Sequence, residues 1–150
     1  MEGQFSGHAF ARGEDGYEEA RRAAVWNART PERHPDLIVQ AKDGEDLVAA
    51  VRMARERGWK IGVRSGGHSW AGNHVRDGGL LLDASGLDSV EIDAEAMTAI
   101  VGPGARGNDL LETLAARDLF PPATAPGWLS AVICCRGASA GTGGSTAPPA

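Results

Sequence analysis

Residues 64–70 read Arg64-Ser65-Gly66-Gly67-His68-Ser69-Trp70 and follow an apolar run, Ile61-Gly62-Val63. One guanidinium, two hydroxyls, one imidazole and two adjacent glycines thus share a single turn of chain. Glycine lets backbone N–H groups approach an anion closely, because no Cβ stands in the way. The hydroxyls of Ser65 and Ser69 and the guanidinium of Arg64 add donors of the kind that hold phosphate oxygens. His68 is the one group in the stretch able to act as a nucleophile or base near neutral pH. A strand feeding such a loop predicts a pyrophosphate cradle with a reactive imidazole at its lip. Taken alone, the stretch equally suits an ordinary tight turn, with His68 a hydrogen-bonded loop residue.

The flanking sequence must supply the elements that position this loop. Residues 16–28 are expected to be helical, with Tyr17, Ala20, Ala24 and Asn27 on one side and charges on the other; Pro31 and Pro35 end that element. Asp36 to Gln40 is a short β-type run. Asp43 is expected to cap a second helix, with Glu45 and Asp46 in its first turn, where negative charge suits the helix dipole. Leu47, Val48, Val51 and Ala54 supply its apolar stripe, Arg52, Arg55 and Arg57 crowd its last turns, and Gly58 stops it. Residues 59–64 form the next strand. The β-α-β order from Asp36 to Val63 predicts a crossover unit with parallel strands. Further strands are expected at 79–83, 88–93 and 97–101, the last two joined by a hairpin turning at Asp93 to Ala96. Asn108 is expected to cap a helix through Arg117, with Leu110, Leu111 and Leu114 facing inward. The pattern is α+β: a small parallel β-α-β unit followed by antiparallel strands. Residues 1–15, polar and glycine-containing, are expected to form a flexible arm.

The Arg64–Ser69 loop resembles the flavin-attachment loop of the FAD-linked oxidases related to berberine bridge enzyme and 6-hydroxynicotine oxidase. These have an FAD-binding domain of the vanillyl-alcohol oxidase (PCMH) type. The resemblance is carried, in order, by Trp26-Asn27, Leu37-Ile38-Val39, the loop itself, Ala71-Gly72-Asn73, Asp77-Gly78-Gly79, Leu82-Asp83 and Val101-Gly102-Pro103-Gly104-Ala105. A lone G-G-H is a weak signal; the ordered series, from about Tyr17 to Pro121, is a specific one. It implies that residues 16–121 are the N-terminal part of such a domain. It implies FAD as cofactor, held by Arg64, Ser65, Gly66, Gly67, His68 and Ser69, with Gly102, Gly104 and Ala105 lying against the flavin. It also implies a covalent bond from His68 to the methyl group at position 8 of the isoalloxazine ring, although family members without that bond leave the point open. The implied chemistry is hydride transfer from an alcohol, amine or sugar carbon to the flavin, followed by reoxidation by dioxygen. The protein's share is to position the ring and tune its potential. The substrate domain and catalytic base are expected downstream, so no catalytic residue is assigned.

After Pro121 the character changes. Only one charged residue, Arg136, follows, and no amphipathic period survives. If one nucleotide was lost near the codon for Pro121, the other frame from Thr124 onward permits H-C-P-G-V-A-(V/L)-G-G-Y-L-L-Q-G-G-F-G-W-N. In that frame Cys134-Cys135 reads Leu-Leu. The string resembles the next motif of the same family, including a cysteine that in some members forms a second bond to the flavin. Residues 122–150 are therefore expected to be a non-native, out-of-frame tail, the alternative being a natural glycine- and alanine-rich disordered one. Cys134 and Cys135 are given no role, since adjacent cysteines are poor chelators and rarely pair with each other.

The net charge of −5, with no basic cluster, excludes a nucleic-acid surface. No run of roughly 18 apolar residues exists, so no membrane span is expected. The opening MEGQFSGHAFARGEDG lacks the basic-then-apolar order of a secretory signal, which predicts a cytoplasmic location. His8 and His34 have no partner cluster, so no metal site is expected. Trp26, Trp59 and Trp70 are expected to pack in the core or between subdomains. Asn73 and Asp83 suit either loop capping or a cofactor contact. The partner implied is a small-molecule substrate. Two other readings stand beside the oxidase: a truncated, non-catalytic fragment with exposed sheet edges, and a non-covalent, NADPH-dependent flavin reductase of the same domain type.

Overall fold

The computed structural model describes residues 5–119 and 138–139. They divide into two units, one ending at Leu87 and one beginning at Asp88. The first contains β1 (His8–Ala11), α1 (Tyr17–Ala23), β2 (Leu37–Gln40), α2 (Gly44–Glu56), β3 (Ile61–Arg64) and β4 (Leu80–Asp83). Its sheet has the order β1-β2-β4-β3. β4 runs parallel to both neighbours, with Leu80 opposite Leu37 on one side and Ile61 on the other. β1 is antiparallel to β2.

Burial on both faces accounts for the unbroken apolar runs Leu37-Ile38-Val39 and Leu80-Leu81-Leu82. Successive side chains point to opposite faces. Leu37, Val39, Leu80 and Leu82 pack with Ala50, Met53 and Ala54 of α2. Ile38 and Leu81 pack with Tyr17 and Ala20 of α1 and with Val75. A one-residue slip would exchange these two sets, so the register is set by both helices at once. Asp43 caps α2 as expected, its Oδ1 accepting from Asp46 N at 2.9 Å, and Gly58 leaves the helix at φ +63°.

Several expectations change. β2 and β3 are parallel, but β4 lies between them, so residues 79–83 belong to the parallel sheet and not to the antiparallel set. Three consecutive buried leucines need a central position, whereas β3 carries Val63 at 61% exposure and suits an edge. Residues 8–11 are a strand, not part of an arm, because Ala9 and Phe10 each have a core cluster to pack against. α1 ends at Ala23; beyond it, Asn27 Oδ1 accepts from Arg29 N at 2.8 Å, a local turn that competes with helix. On α2 the buried apolar residues are Ala50, Met53 and Ala54, with Leu47 partly buried. Val48 and Val51 are half exposed, being rotated off that face by the helical period.

In the second unit, β5 (Val90–Asp93) and β6 (Thr98–Val101) form the expected hairpin, with Val90 opposite Val101. Asp93 Oδ1 accepts from Glu95 N and Ala96 N at 3.0 and 2.9 Å, and Met97 completes the turn at φ +55°. α3 (Gly107–Ala115) buries Leu110 and Leu114, which cluster with Leu119, Val90 and Val101. Its N-cap is Arg106, not Asn108. The tight turn in which Ala105 N donates to Gly102 O fixes the helix start two residues early. The expected out-of-frame tail lies outside the described residues, except for β7 (Ala138–Ser139), which pairs antiparallel with β6. Among the described residues no helix is long and apolar enough to cross a membrane.

Candidate functional site

Parallel pairing brings the C-terminal ends of β3 and β4 side by side, with Arg64 directly opposite Asp83. Crevices in open parallel sheets form at such strand ends. Arg64 Nη1 donates to Asp83 Oδ1 at 2.9 Å, to Asp83 Oδ2 at 2.7 Å and to Ser85 Oγ at 2.7 Å. Asp83 is buried. Arg64 Nη2 approaches Ala23 O at 3.5 Å, and Arg64 Nε is buried without a hydrogen-bond acceptor.

From Arg64 the chain turns into the glycine loop. Gly67 has φ +72°, and a Cβ there would stand 2.7 Å from Ala24 O and 3.1 Å from Arg64 Nε. Both the left-handed backbone and the close approach therefore require glycine. The N–H groups of Gly66 and Gly67 donate to no acceptor among the described residues. Ser65, Gly66, His68 and Ser69 are half-buried around them. Ser69 closes the next turn: its carbonyl accepts from Gly72 N at 3.1 Å and its Oγ from Asn73 N at 3.2 Å.

The far end of the loop is pinned to α1 and β3. His74 Nε2 donates to Ala24 O at 2.8 Å. Burial holds the His74 pKa below its ordinary value, with the nearby Arg64 charge acting in the same direction against the raising effect of that hydrogen bond. The imidazole is thus neutral at pH 7, and the carbonyl it faces selects the Nε2–H tautomer. The His74 carbonyl lies where a Cβ of Gly62 would stand. Arg33 Nη2 donates to the carbonyls of Ala71 and Gly72.

Residues 64–69 thus run from the end of β3 through the glycine turn of the first unit. Gly102, Gly104 and Ala105 sit together in the second unit, on the turn between β6 and α3. There Gly102 N donates to Ser89 O at 2.7 Å and Ala105 is buried. Trp70 is 79% exposed and Trp26 44%, packed edge to face with centroids 4.6 Å apart. Of the two placements expected, core or between subdomains, the core is not where these two lie: they are on the surface beside the loop, joined by Asn27 Nδ2 donating to Trp70 O at 3.3 Å. Trp59 does pack against the core. A cleft of about 660 Å³ beside Phe5, Val48 and Arg52 contains no loop residue. A smaller one, about 500 Å³, is lined by Arg33, Lys60, Asn73, Arg76 and Asp77.

Sequence reasoning missed Ser85 and His74 and left Asp83 open. Their partners lie 21, 50 and 19 residues away in the chain, and only the tertiary fold brings them together.

The FAD binding domain family matches residues 35–147. The chain belongs to this family. An FAD-linked oxidoreductase, nodO, of Hypoxylon pulicicidum is 41% identical over 106 residues, 71% of this chain and 23% of the relative. The (R)-6-hydroxynicotine oxidase of Paenarthrobacter nicotinovorans is 37% identical over 93 residues, 62% of this chain and 20% of that enzyme. Among solved structures, 6-hydroxy-D-nicotine oxidase from Arthrobacter nicotinovorans superposes with a TM-score of 0.67 at 30% identity, covering 77% of this chain and 25% of that one. A berberine bridge enzyme-like protein of Physcomitrella patens gives 0.68 at 29% identity, covering 79% and 26%. The chain thus spans about a quarter of the length of these relatives. The family match runs past Pro121, where the motif series ends.

The cradle fits the family's cofactor. Open N–H groups on a left-handed glycine turn form an anion-binding concavity. No acidic side chain occurs between Arg64 and Arg76, so nothing in the loop repels a pyrophosphate. Gly66, Gly67, Ser65 and Ser69 would hold the phosphates of a bound FAD, with His68 in the same loop.

Proposed function

We propose that the chain is the N-terminal cofactor-binding portion of an FAD-dependent oxidoreductase that oxidises an alcohol, amine or sugar carbon of a small molecule. The observation that carries this reading is the Gly66–Gly67 cradle on the parallel strand ends, in a chain of the FAD-binding family. Bound flavin would supply a two-electron acceptor for hydride. The chain's own contribution is to bind and orient it: backbone N–H groups of residues 66 and 67 and the two serine hydroxyls would donate hydrogen bonds to the phosphate oxygens, and His68 is the attachment point. The proposal retains a cytoplasmic location. It assigns the substrate pocket and catalytic base to the remaining three quarters of the length seen in the relatives, so this chain alone is expected to be inactive.

The test is titration of the 150-residue chain with FAD, followed by acid precipitation. Stoichiometric binding is expected, weakened at least about tenfold by Gly67→Ala, since that substitution adds strain and a collision under the cradle. Yellow colour retained in the acid pellet, and lost in His68→Ala, is the expected sign of a covalent bond. Colour released by acid together with oxidation of NADPH would favour the reductase reading. Soluble, folded chain with no FAD binding would sink the proposal.

The same proposal holds that residues after Pro121 are written out of frame. The permitted G-G-F-G-W-N string supports this. Nucleotide sequence from the Leu119 codon onward is expected to continue that frame as a long open reading frame; a stop soon after it would overturn the point.

A further inference from the structure

We propose that Asp83, assisted by Ser85, is the positioning residue of the flavin loop, and that Arg64 acts as an internal brace and not as a phosphate ligand. The inference deepens the FAD-binding reading and rests on it for one of its two readouts.

The geometry of the guanidinium carries the argument. Nη1 has two hydrogens and faces three oxygens, two of Asp83 and one of Ser85, all within 2.9 Å. Nothing on that nitrogen remains for an outside anion. Nη2 is turned toward Ala23 O. Nε is buried beneath Gly67, 3.1 Å from where a Cβ would stand. The side chains of Arg64 and Asp83 are 17% and 6% exposed. The Nη1 and Nε sides of the guanidinium are therefore turned into the protein, under the glycine turn, and only Nη2 reaches the exposed edge. Three acceptors, two of Asp83 and one of Ser85, converge on the single nitrogen Nη1 and hold that end of the guanidinium in place. Asp83 is itself fixed by its place at the end of β4, and Ser85 N returns to Asp83 Oδ1 at 3.0 Å. The chain of support runs from β4 to Asp83, to Arg64, to the underside of Gly67. It sets the curvature that keeps the Gly66 and Gly67 N–H groups convergent. A buried donor left without an acceptor at Nε is the cost of that placement.

The test uses the full 150-residue chain, ¹⁵N-labelled, with the near-isosteric variant Asp83→Asn. Backbone order parameters of Gly66 and Gly67 are expected to fall from the rigid range, about 0.85, to below about 0.6. Those of Leu37 to Val39 should stay unchanged. FAD affinity, measured well below the melting transition, is expected to fall at least about tenfold. Order parameters at Gly66 and Gly67 unchanged in folded Asp83→Asn, or FAD affinity within twofold of the parent, would overturn the proposal. If Asp83→Asn does not fold, Ser85→Ala decides by the same order parameters: a local fall supports the brace, no change overturns it. Failure of the parent chain to bind FAD would sink the functional reading, while the order parameters still decide the brace.

Discussion

Gly79→Ala is expected to cost at least about 3 kcal/mol of unfolding free energy, or to prevent folding. The left-handed backbone alone costs an L-residue about 1–2 kcal/mol, and Gly79 sits at φ +73°. A Cβ there would also drive into the backbone carbonyl of Lys60, which cannot rotate away as a side chain could. Gly79 is also a junction: its carbonyl accepts from Asp36 N at 2.8 Å and Leu37 N at 3.2 Å, and its N–H donates to Asp36 Oδ2 at 2.7 Å. Shifting it displaces the start of β4, the strand both neighbours pair with. Gly78→Ala is the internal control. Its φ is +70°, but the nearest atom to its Cβ would be Asp36 Oδ2 at 3.5 Å, ordinary contact. It should lose only the conformational part, about 1–2 kcal/mol. Urea melts of both variants check the difference, and equal losses would show that the Lys60 carbonyl yields.

Asp46→Ala is expected to cost about 3 kcal/mol, because a buried carboxylate here satisfies three backbone donors and each hydrogen bond to a charged group contributes about 1.5–3 kcal/mol. Its oxygens accept from Ser6 N at 2.7 Å, Gly7 N at 2.9 Å and Lys42 N at 2.9 Å. The residue thus ties the entry to β1 onto the start of α2. Burial alone would raise its pKa, but the backbone donors outweigh that and hold it below the usual carboxylate value of 3.8. The sign follows from linkage. A depressed folded pKa stabilises the fold above the unfolded pKa, and the gain disappears as pH falls through the folded value. Glu18 behaves alike: its hydrogen bond from Arg21 chiefly, against a smaller burial effect and with help from Arg22, takes it from 4.5 to about 2. It is nearly half exposed, so solvent screening reduces its share. Stability of the parent should therefore be level above about pH 5 and fall between about pH 4.5 and 2. In Asp46→Ala that fall should be shallower, which urea midpoints at several pH values would measure.

Much of the architecture was legible in the chain because it is local. Asp43 caps α2 and Gly58 ends it, as residue type and spacing require, and the Asp93 turn joins a hairpin whose strands alternate correctly. The limits of local reasoning are equally specific. Asn108 is an excellent cap by type, yet the turn at 102–105 starts α3 at Gly107. Trp70 is a good core residue by type, yet the chain delivers it to the surface beside the glycine loop. Val48 and Val51 fit an apolar stripe, but the stripe that meets the sheet is the one through Ala50 and Ala54.

The amino-acid sequence alone carried the family, the glycine loop on which the proposed FAD cradle is built, and the division into a parallel and an antiparallel part. It could do so because glycine spacing, strand hydrophobicity and cap chemistry act over a few residues. Only the tertiary structure decided that β4 lies between β2 and β3, since that depends on which apolar strand is covered by helices on both faces. That placement in turn set Asp83 against Arg64 across 19 residues. It thereby turned an apparent phosphate donor inward, beneath the loop it supports.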